Sequence, residues 1–273
     1  MALGLSNHDV TVITRRMGGG FGGKESQGNL PAIVAALAAK LTGRPAKLIY
    51  DRDDDFILTG KRHDFQISYK VGFEDNGLIN SVIVDQAMRC GMSWDLSEAI
   101  AARAMCHAEN SYFIKNMRIT SHRLKTNTQS NTAFRGFGGP QGIVGMERVI
   151  DHVAHHLNVD PLLVRERNFY PHKTSATHGI TPYGQTVHDC IIQDIISELK
   201  KTSDYADRRK DIEKFNKNSE FLKRGISLTP VKFGISFNAS FLNQAGALLH
   251  VYNDGSVYLN HGGTEMGLSL IHI

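Results

Sequence analysis

Cysteine is scarce in this chain of 273 residues: Cys90, Cys106 and Cys190 stand apart, and no two form a Cys-x-x-Cys pair. Three thiols cannot hold an iron–sulfur cluster that takes four cysteines. An odd count in so long a chain argues against a disulfide framework, and free thiols in a reducing compartment are expected. A large charge of one sign is also missing. Against 31 basic residues stand 27 acidic ones, the net charge is +4, and Lys and Arg are scattered. Nucleic acid is therefore not an expected partner. No apolar run approaches the ~20 residues that span a bilayer, so no membrane contact is expected. The opening Met1-Ala2-Leu3-Gly4-Leu5 has no basic segment and too short an apolar core for a secretory signal, which makes the cytoplasm the expected location. There is no internal repeat and no low-complexity tract.

Glycine is what the chain has, and it is concentrated. The run Arg15-Arg16-Met17-Gly18-Gly19-Gly20-Phe21-Gly22-Gly23-Lys24-Glu25 holds five glycines in six positions. Such a backbone admits close approach and positive φ. A second run, Thr132-Ala133-Phe134-Arg135-Gly136-Phe137-Gly138-Gly139-Pro140, repeats the chemistry. Two separated Gly-Phe-Gly loops, each with a charged residue at hand, suggest one large ligand gripped from two sides. Arginine brings a planar donor fork suited to phosphate or oxo groups, and aromatic rings can sandwich a flat heterocycle.

The first run also fits G-x-G-x-x-G and, with Lys24, G-x-x-x-x-G-K. A nucleotide-binding module is thus an alternative. A phosphate loop needs Ser or Thr after the lysine, however, and Glu25 stands there, where a carboxylate would repel phosphate. His152, His155 and His156 share a helical face, but no Glu stands in the HExxH position, and an exposed helix face explains them without zinc. Asp51-Arg52-Asp53-Asp54-Asp55 reads as a turn or helix start, since Asp suits N-caps.

The patterning mixes both periods. Strands are expected at 10–14, 46–50, 65–73, 78–88, 226–237, 245–252 and 256–260, with a hairpin turn at Glu74-Asp75-Asn76-Gly77. Helices are expected at 30–41 (alanine-rich and mostly buried), 97–106 (carrying Arg103), 141–157, 161–168, 189–200 and 204–217. Residues 171–189 read as an irregular connection.

Five segments occur in order: RRMGGGFGGKE, DRDDDFILTGKRH, KTNTQSNTAFRGFGGPQG, TPVKFGISF followed by LNQAGALLHVY, and HGGTEMG. Together they resemble the molybdenum-cofactor domain of the xanthine oxidase and aldehyde oxidase family, on its xanthine dehydrogenase branch. The likeness runs from about Val10 to Gly267. It implies an α+β fold of mixed sheets with helices packed outside, truncated at both ends. Residues 1–170 would be the first half of the domain, 171–223 a helical connection and 224–267 the start of the second half. Residues 268–273 read as a non-native tail.

The resemblance also implies a molybdenum–molybdopterin cofactor held by Phe21, Gly22, Arg135 and Gly136, with no metal ligand from side chains. Glu25 and Arg103 match the acid and guanidinium that act on the purine. Phe137, Phe237 and Asn238 match substrate contacts, although the family usually has Thr where Asn238 stands. The implied reaction oxidises hypoxanthine and xanthine to urate with water as oxygen source. Electrons would pass through 2Fe-2S clusters and FAD, on other domains or a partner subunit, to NAD, in an enzyme expected to be a dimer. A hydroxylase for another N-heterocycle or an aldehyde is the nearest alternative. The family's glutamate base is absent from these residues, and Leu268 stands where the family has a cofactor-contacting glutamine. The chain alone is therefore expected not to turn over.

Overall fold

The computed structural model describes residues 2–13, 19–172, 179–237 and 240–263. Two helices come first. α1 (Asn29–Thr42) stops at Gly43, which takes the left-handed φ of 65° that ends many helices. α2 (Arg52–Leu58) starts at Asp51, whose carboxylate accepts the Asp54 N–H at 2.8 Å. The acidic run is thus a helix start.

A mixed sheet follows. β1 (Phe65–Phe73) and β2 (Ile79–Gly91) pair antiparallel, with Phe65 opposite Met88 and Val71 opposite Val82. Their turn closes through Gly77 N–H to the Glu74 carbonyl, 2.8 Å, and Leu78 N–H to Asn76 Oδ1, 2.8 Å. β3 (Asn116–Lys125) lies parallel along the other edge of β2. A parallel neighbour needs a crossover, and α3 (Ser97–Cys106) lies within it.

α4 (Gly139–Leu157) covers the sheet. Met146, Val149, Ile150 and Val153 recur at helical spacing and bury against Ile79, Val82 and Val84, the expected stripe of an amphipathic helix. α5 (Pro161–Asn168) starts with Pro at its first position, and the Asp160 carboxylate accepts the Leu162 N–H at 2.8 Å. α6 (Ile192–Thr202) and α7 (Tyr205–Asn218) follow, and then a hairpin of β4 (Ala247–Val251) and β5 (Val257–His261). On β2 the fully buried Gln86 stands between Val84 of this core and Met88 of a second, smaller one. That second core also holds Cys90, Ile100, Ala101 and Ala133, with Phe137 packed against it. It is the floor on which the second glycine loop rests.

Four expectations differ from the structure. Residues 10–13 and 46–50 form no ladder, and Val12 and Ile13 are each 83% exposed. Alternation alone does not make a strand where no neighbour takes its backbone groups. Residues 226–237 form no strand either, because their backbone is bonded by side chains of α3 and the turn after it. α1 forms, but none of its residues is buried; alanine-rich sequence suffices for the helix without packing. β3 had no counterpart in the sequence pattern. It is an edge strand, and most of its residues are exposed or half-buried.

Candidate cofactor and substrate site

The two glycine loops lie side by side. Gly22 and Phe134 form an antiparallel bridge. Gly22 takes φ 83°, and a Cβ there would lie 2.7 Å from the Ala133 carbonyl oxygen, so the close approach requires glycine. The Arg135 guanidinium lies 5.5 Å from the centre of the Phe21 ring. Both Phe21, at φ 55°, and Phe137, at φ 53°, hold left-handed backbone.

Two further segments brace this pair. Arg62 donates from Nη2 to the Arg135 carbonyl at 2.7 Å and stacks on Phe134 at 4.4 Å; its burial lowers the guanidinium pKa. The Asp95 carboxylate accepts from Ser26 Oγ at 2.7 Å and from Gln27 Nε2 at 2.9 Å, while Gln27 Oε1 accepts the Gly60 N–H at 2.9 Å. The first loop is thus clamped just beyond its glycines. Phe21 remains 52% exposed. Arg135 is exposed too, and among the described residues nothing accepts a hydrogen bond from its guanidinium.

The second loop turns tightly into α4. Phe137 N–H donates to the Phe134 carbonyl at 2.7 Å and Gly139 N–H to the Gly136 carbonyl at 2.9 Å. Gly138 takes φ 100°, and a Cβ there would come within 2.2 Å of the Ile100 carbonyl oxygen on α3. We expect Gly138→Ala to lower stability by about 2 kcal/mol or more, since left-handed strain adds to a backbone clash. A urea melt with an unchanged midpoint would refute that.

Arg103 lies near the end of α3 and is 6% exposed. Its two terminal nitrogens donate to the carbonyls of Gly234 and Ser236, and burial lowers its pKa. Ser236 precedes Phe237, whose ring centre lies 5.4 Å from that of Phe137, at 51°. Asn243 holds the Phe237 backbone, accepting its N–H at 3.1 Å and donating to its carbonyl at 2.8 Å. Phe137 and Phe237 are therefore brought together, and Arg103 is tied to the backbone one residue before Phe237. A cavity of about 450 Å³ adjoins Arg103 and is lined also by His107, Tyr183, His188, Lys232 and Phe233.

Glu25 is not in that group. It is exposed, does not line the Arg103 cavity, and accepts the Lys24 N–H at 3.1 Å. Asn238 lies outside the described residues, as do 14–18, which include the opening 15–18 of the first run, and 264–273, which include Leu268. Two of the three α4 imidazoles meet the sheet: His152 bonds the Tyr69 hydroxyl, and His156 meets Phe73 edge-on at 5.5 Å. Among the described residues no group of three His, Cys, Asp or Glu side chains is placed to hold a metal ion. No helix among them is long and apolar enough to cross a membrane.

Sequence reasoning missed several supports: Arg62, Asp95, Gln27 and His107. Each acts through partners remote in sequence, so no local pattern marks it. Only Arg62 carried a signal, since it lies inside a segment already singled out.

Comparison with known proteins gives this geometry its context. Residues 1–169 and 198–271 each match a family described as molybdopterin cofactor-binding domain. The chain is 46% identical over 269 residues to xanthine dehydrogenase/oxidase of Gallus gallus, and 44% identical over 268 residues to xanthine dehydrogenase of Oryza sativa subsp. japonica. Either match covers 98% of this chain and 19% of the relative, so the chain spans about a fifth of their length. Among solved structures, aldehyde oxidoreductase from Desulfovibrio gigas superposes with a TM-score of 0.65 at 25% identity, covering 89% of this chain and 25% of that one. CO dehydrogenase from Oligotropha carboxidovorans gives 0.72 at 20% identity, covering 97% and 34%, and carries the fold alone. With two domain matches covering most of its length and paired glycine loops at its surface, the chain belongs to the molybdopterin cofactor-binding domain family.

Proposed function

We propose that this chain is the cofactor-binding portion of a molybdenum hydroxylase that oxidises hypoxanthine and xanthine to urate. The observation that carries the reading is 44–46% identity to xanthine dehydrogenases over 98% of the chain. The site fits the cofactor in its donor set: a guanidinium with uncommitted donors, Arg135, stands beside backbone stripped of side chains, as anionic oxygens require. Phe21, Gly22, Arg135 and Gly136 would hold the group. Its chemistry when bound is oxidation of a ring carbon with water as the oxygen source.

The chain's own residues then bind and orient. Phe137 and Phe237 would grip the flat ring, Arg103 would set a fixed positive charge near it, and Asn238 and Glu25 would add polar contacts. The glutamate base, the 2Fe-2S clusters and the FAD that passes electrons to NAD would come from sequence outside these 273 residues. The working enzyme would be a cytoplasmic dimer. The chain would divide at 170 and 223 into a first half, a helical connection and the start of a second half; the first family match, ending at 169, supports the first of these boundaries, while the second match begins at 198.

One observation favours a second reading, a hydroxylase for another N-heterocycle or an aldehyde: Asn238 stands where the family usually has Thr. One experiment separates the two. The full-length enzyme, purified from molybdenum-replete cells, should carry stoichiometric molybdenum and reduce NAD with xanthine. Turnover of aldehydes but not of xanthine would select the second reading, and failure to take up molybdenum would overturn both.

A further inference from the structure

We propose that His107 is a positioning residue: its neutral ring, with the proton on Nδ1, latches the 232–237 segment onto α3 and so sets where Phe237 and Arg103 stand. The latch rests on geometry; its effect on substrate rests on the functional reading above.

His107 follows the last turn of α3 and is 5% exposed. Its Nδ1 lies 2.8 Å from the Arg103 carbonyl oxygen. A carbonyl only accepts, so Nδ1 bears the hydrogen. Its Nε2 accepts the Gly234 N–H at 3.0 Å. An amide nitrogen only donates, so Nε2 is bare. A second ring proton would face N–H against N–H and break the contact. Arg103 takes the carbonyls of Gly234 and Ser236. One helix end therefore holds both the N–H and the C=O of Gly234, three residues before Phe237. The His107 and Phe233 rings pack at 4.8 Å between centres.

The titratable groups around the ring are few. Arg103, Cys106 and Glu109 come from α3 and the turn after it, Lys232 from the latched segment, and Tyr183 and His188 from across the cavity. α4 meets the His107 backbone at Gly142, which has no charge. Lys232 is paired with Glu109, which is fully buried. Burial lowers the His107 pKa; the bond to the Arg103 carbonyl opposes this, and the Arg103 and Lys232 cations add to the lowering, which prevails. With the folded value below the unfolded one, the unfolded chain takes up the proton first. This contribution to stability is full above about pH 6.5 and falls as pH drops toward the folded value.

The test uses the 15N-labelled chain and the full-length enzyme. In the wild type, ring correlations should report the Nδ1–H tautomer at neutral pH, and the Gly234 amide should lose protection as the ring protonates. His107→Phe keeps a ring beside Phe233 but cannot accept; Gly234 exchange should quicken about tenfold or more, as for a lost buried hydrogen bond. His107→Gln places an oxygen near the Nε2 position and should restore exchange to within about threefold of wild type. In the enzyme, His107→Phe should raise KM for xanthine about tenfold and lower kcat by far less than the loss of Arg103 itself, with His107→Gln recovering both and losing its pH dependence. An Nε2–H tautomer or a charged ring at neutral pH would overturn the latch in the wild type alone, even if the Phe variant fails to fold. Gly234 exchange indifferent to the Phe substitution would also overturn it. Xanthine turnover with KM unmoved in His107→Phe would overturn the positioning role. A latch present in an enzyme that does not oxidise xanthine would uphold the latch and sink the functional reading instead.

Discussion

Arg103→Met in the full-length enzyme should lower xanthine turnover by about 10²–10³-fold, the usual loss when a preorganised electrostatic group is removed. Aldehyde turnover should fall far less. Methionine keeps much of the apolar stem and removes the charge. Two effects combine. A cation 6% exposed, bonded to the backbone one residue before Phe237, no longer meets negative charge developing on a heterocycle. The carbonyls of Gly234 and Ser236 also lose their donors. The second effect touches every substrate that uses Phe237, whereas the first is specific to ring systems that gather charge. Equal losses for xanthine and aldehyde would assign the whole effect to the backbone tie and remove Arg103 from the case for a purine.

The largest stability effect is expected at Arg165→Met. Arg165 is 2% exposed and donates from Nε to Glu147 Oε2 at 2.8 Å and from Nη2 to Asp151 at 2.9 Å. Glu147 Oε1 also accepts from Asn110 Nδ2 at 2.8 Å and from the Tyr112 hydroxyl at 2.6 Å. Burial and this carboxylate push the Tyr112 phenol well above its ordinary pKa. Removing the guanidinium leaves a carboxylate in the core with only neutral donors. Breaking one side of such a buried pair costs about 3–5 kcal/mol. The more exposed Asp151 contact adds little. Asn110 also donates to the Pro230 carbonyl and accepts the Lys232 N–H, so the damage should reach the segment that carries Phe237. Urea unfolding gives the measurement; a loss under about 1 kcal/mol would mean that water reaches Glu147 freely. Arg165→Met with Glu147→Leu should recover part of the loss, since an apolar pair leaves no charge stranded.

What could be read from the sequence was what repeats locally. The alternation flanking Asn76-Gly77 gave β1 and β2, the apolar stripe of α4 gave the core, and two Gly-Phe-Gly runs gave the loops that meet at Gly22 and Phe134. What depends on remote partners could not be read. The ladder pattern over 226–237 is genuine as a pattern, but α3 offers that segment side-chain donors and acceptors rather than a strand edge. Lys232 reaches Glu109 across 123 residues, with nothing in either neighbourhood to announce it. Glu25 and Arg103 illustrate the limit for site residues, because matching a motif fixes identity but not which cavity a side chain faces.

Phe21 and Phe137 sit at backbone angles where glycine would be at ease, and each such residue costs about 1–3 kcal/mol. The rings that would grip a ligand are thus carried at the expense of the fold. A redesign aimed only at durability would exchange the exposed Phe21 for glycine but keep Phe137, whose ring packs against the second core. For this molecule the longest-lived sequence and the most capable sequence are not the same.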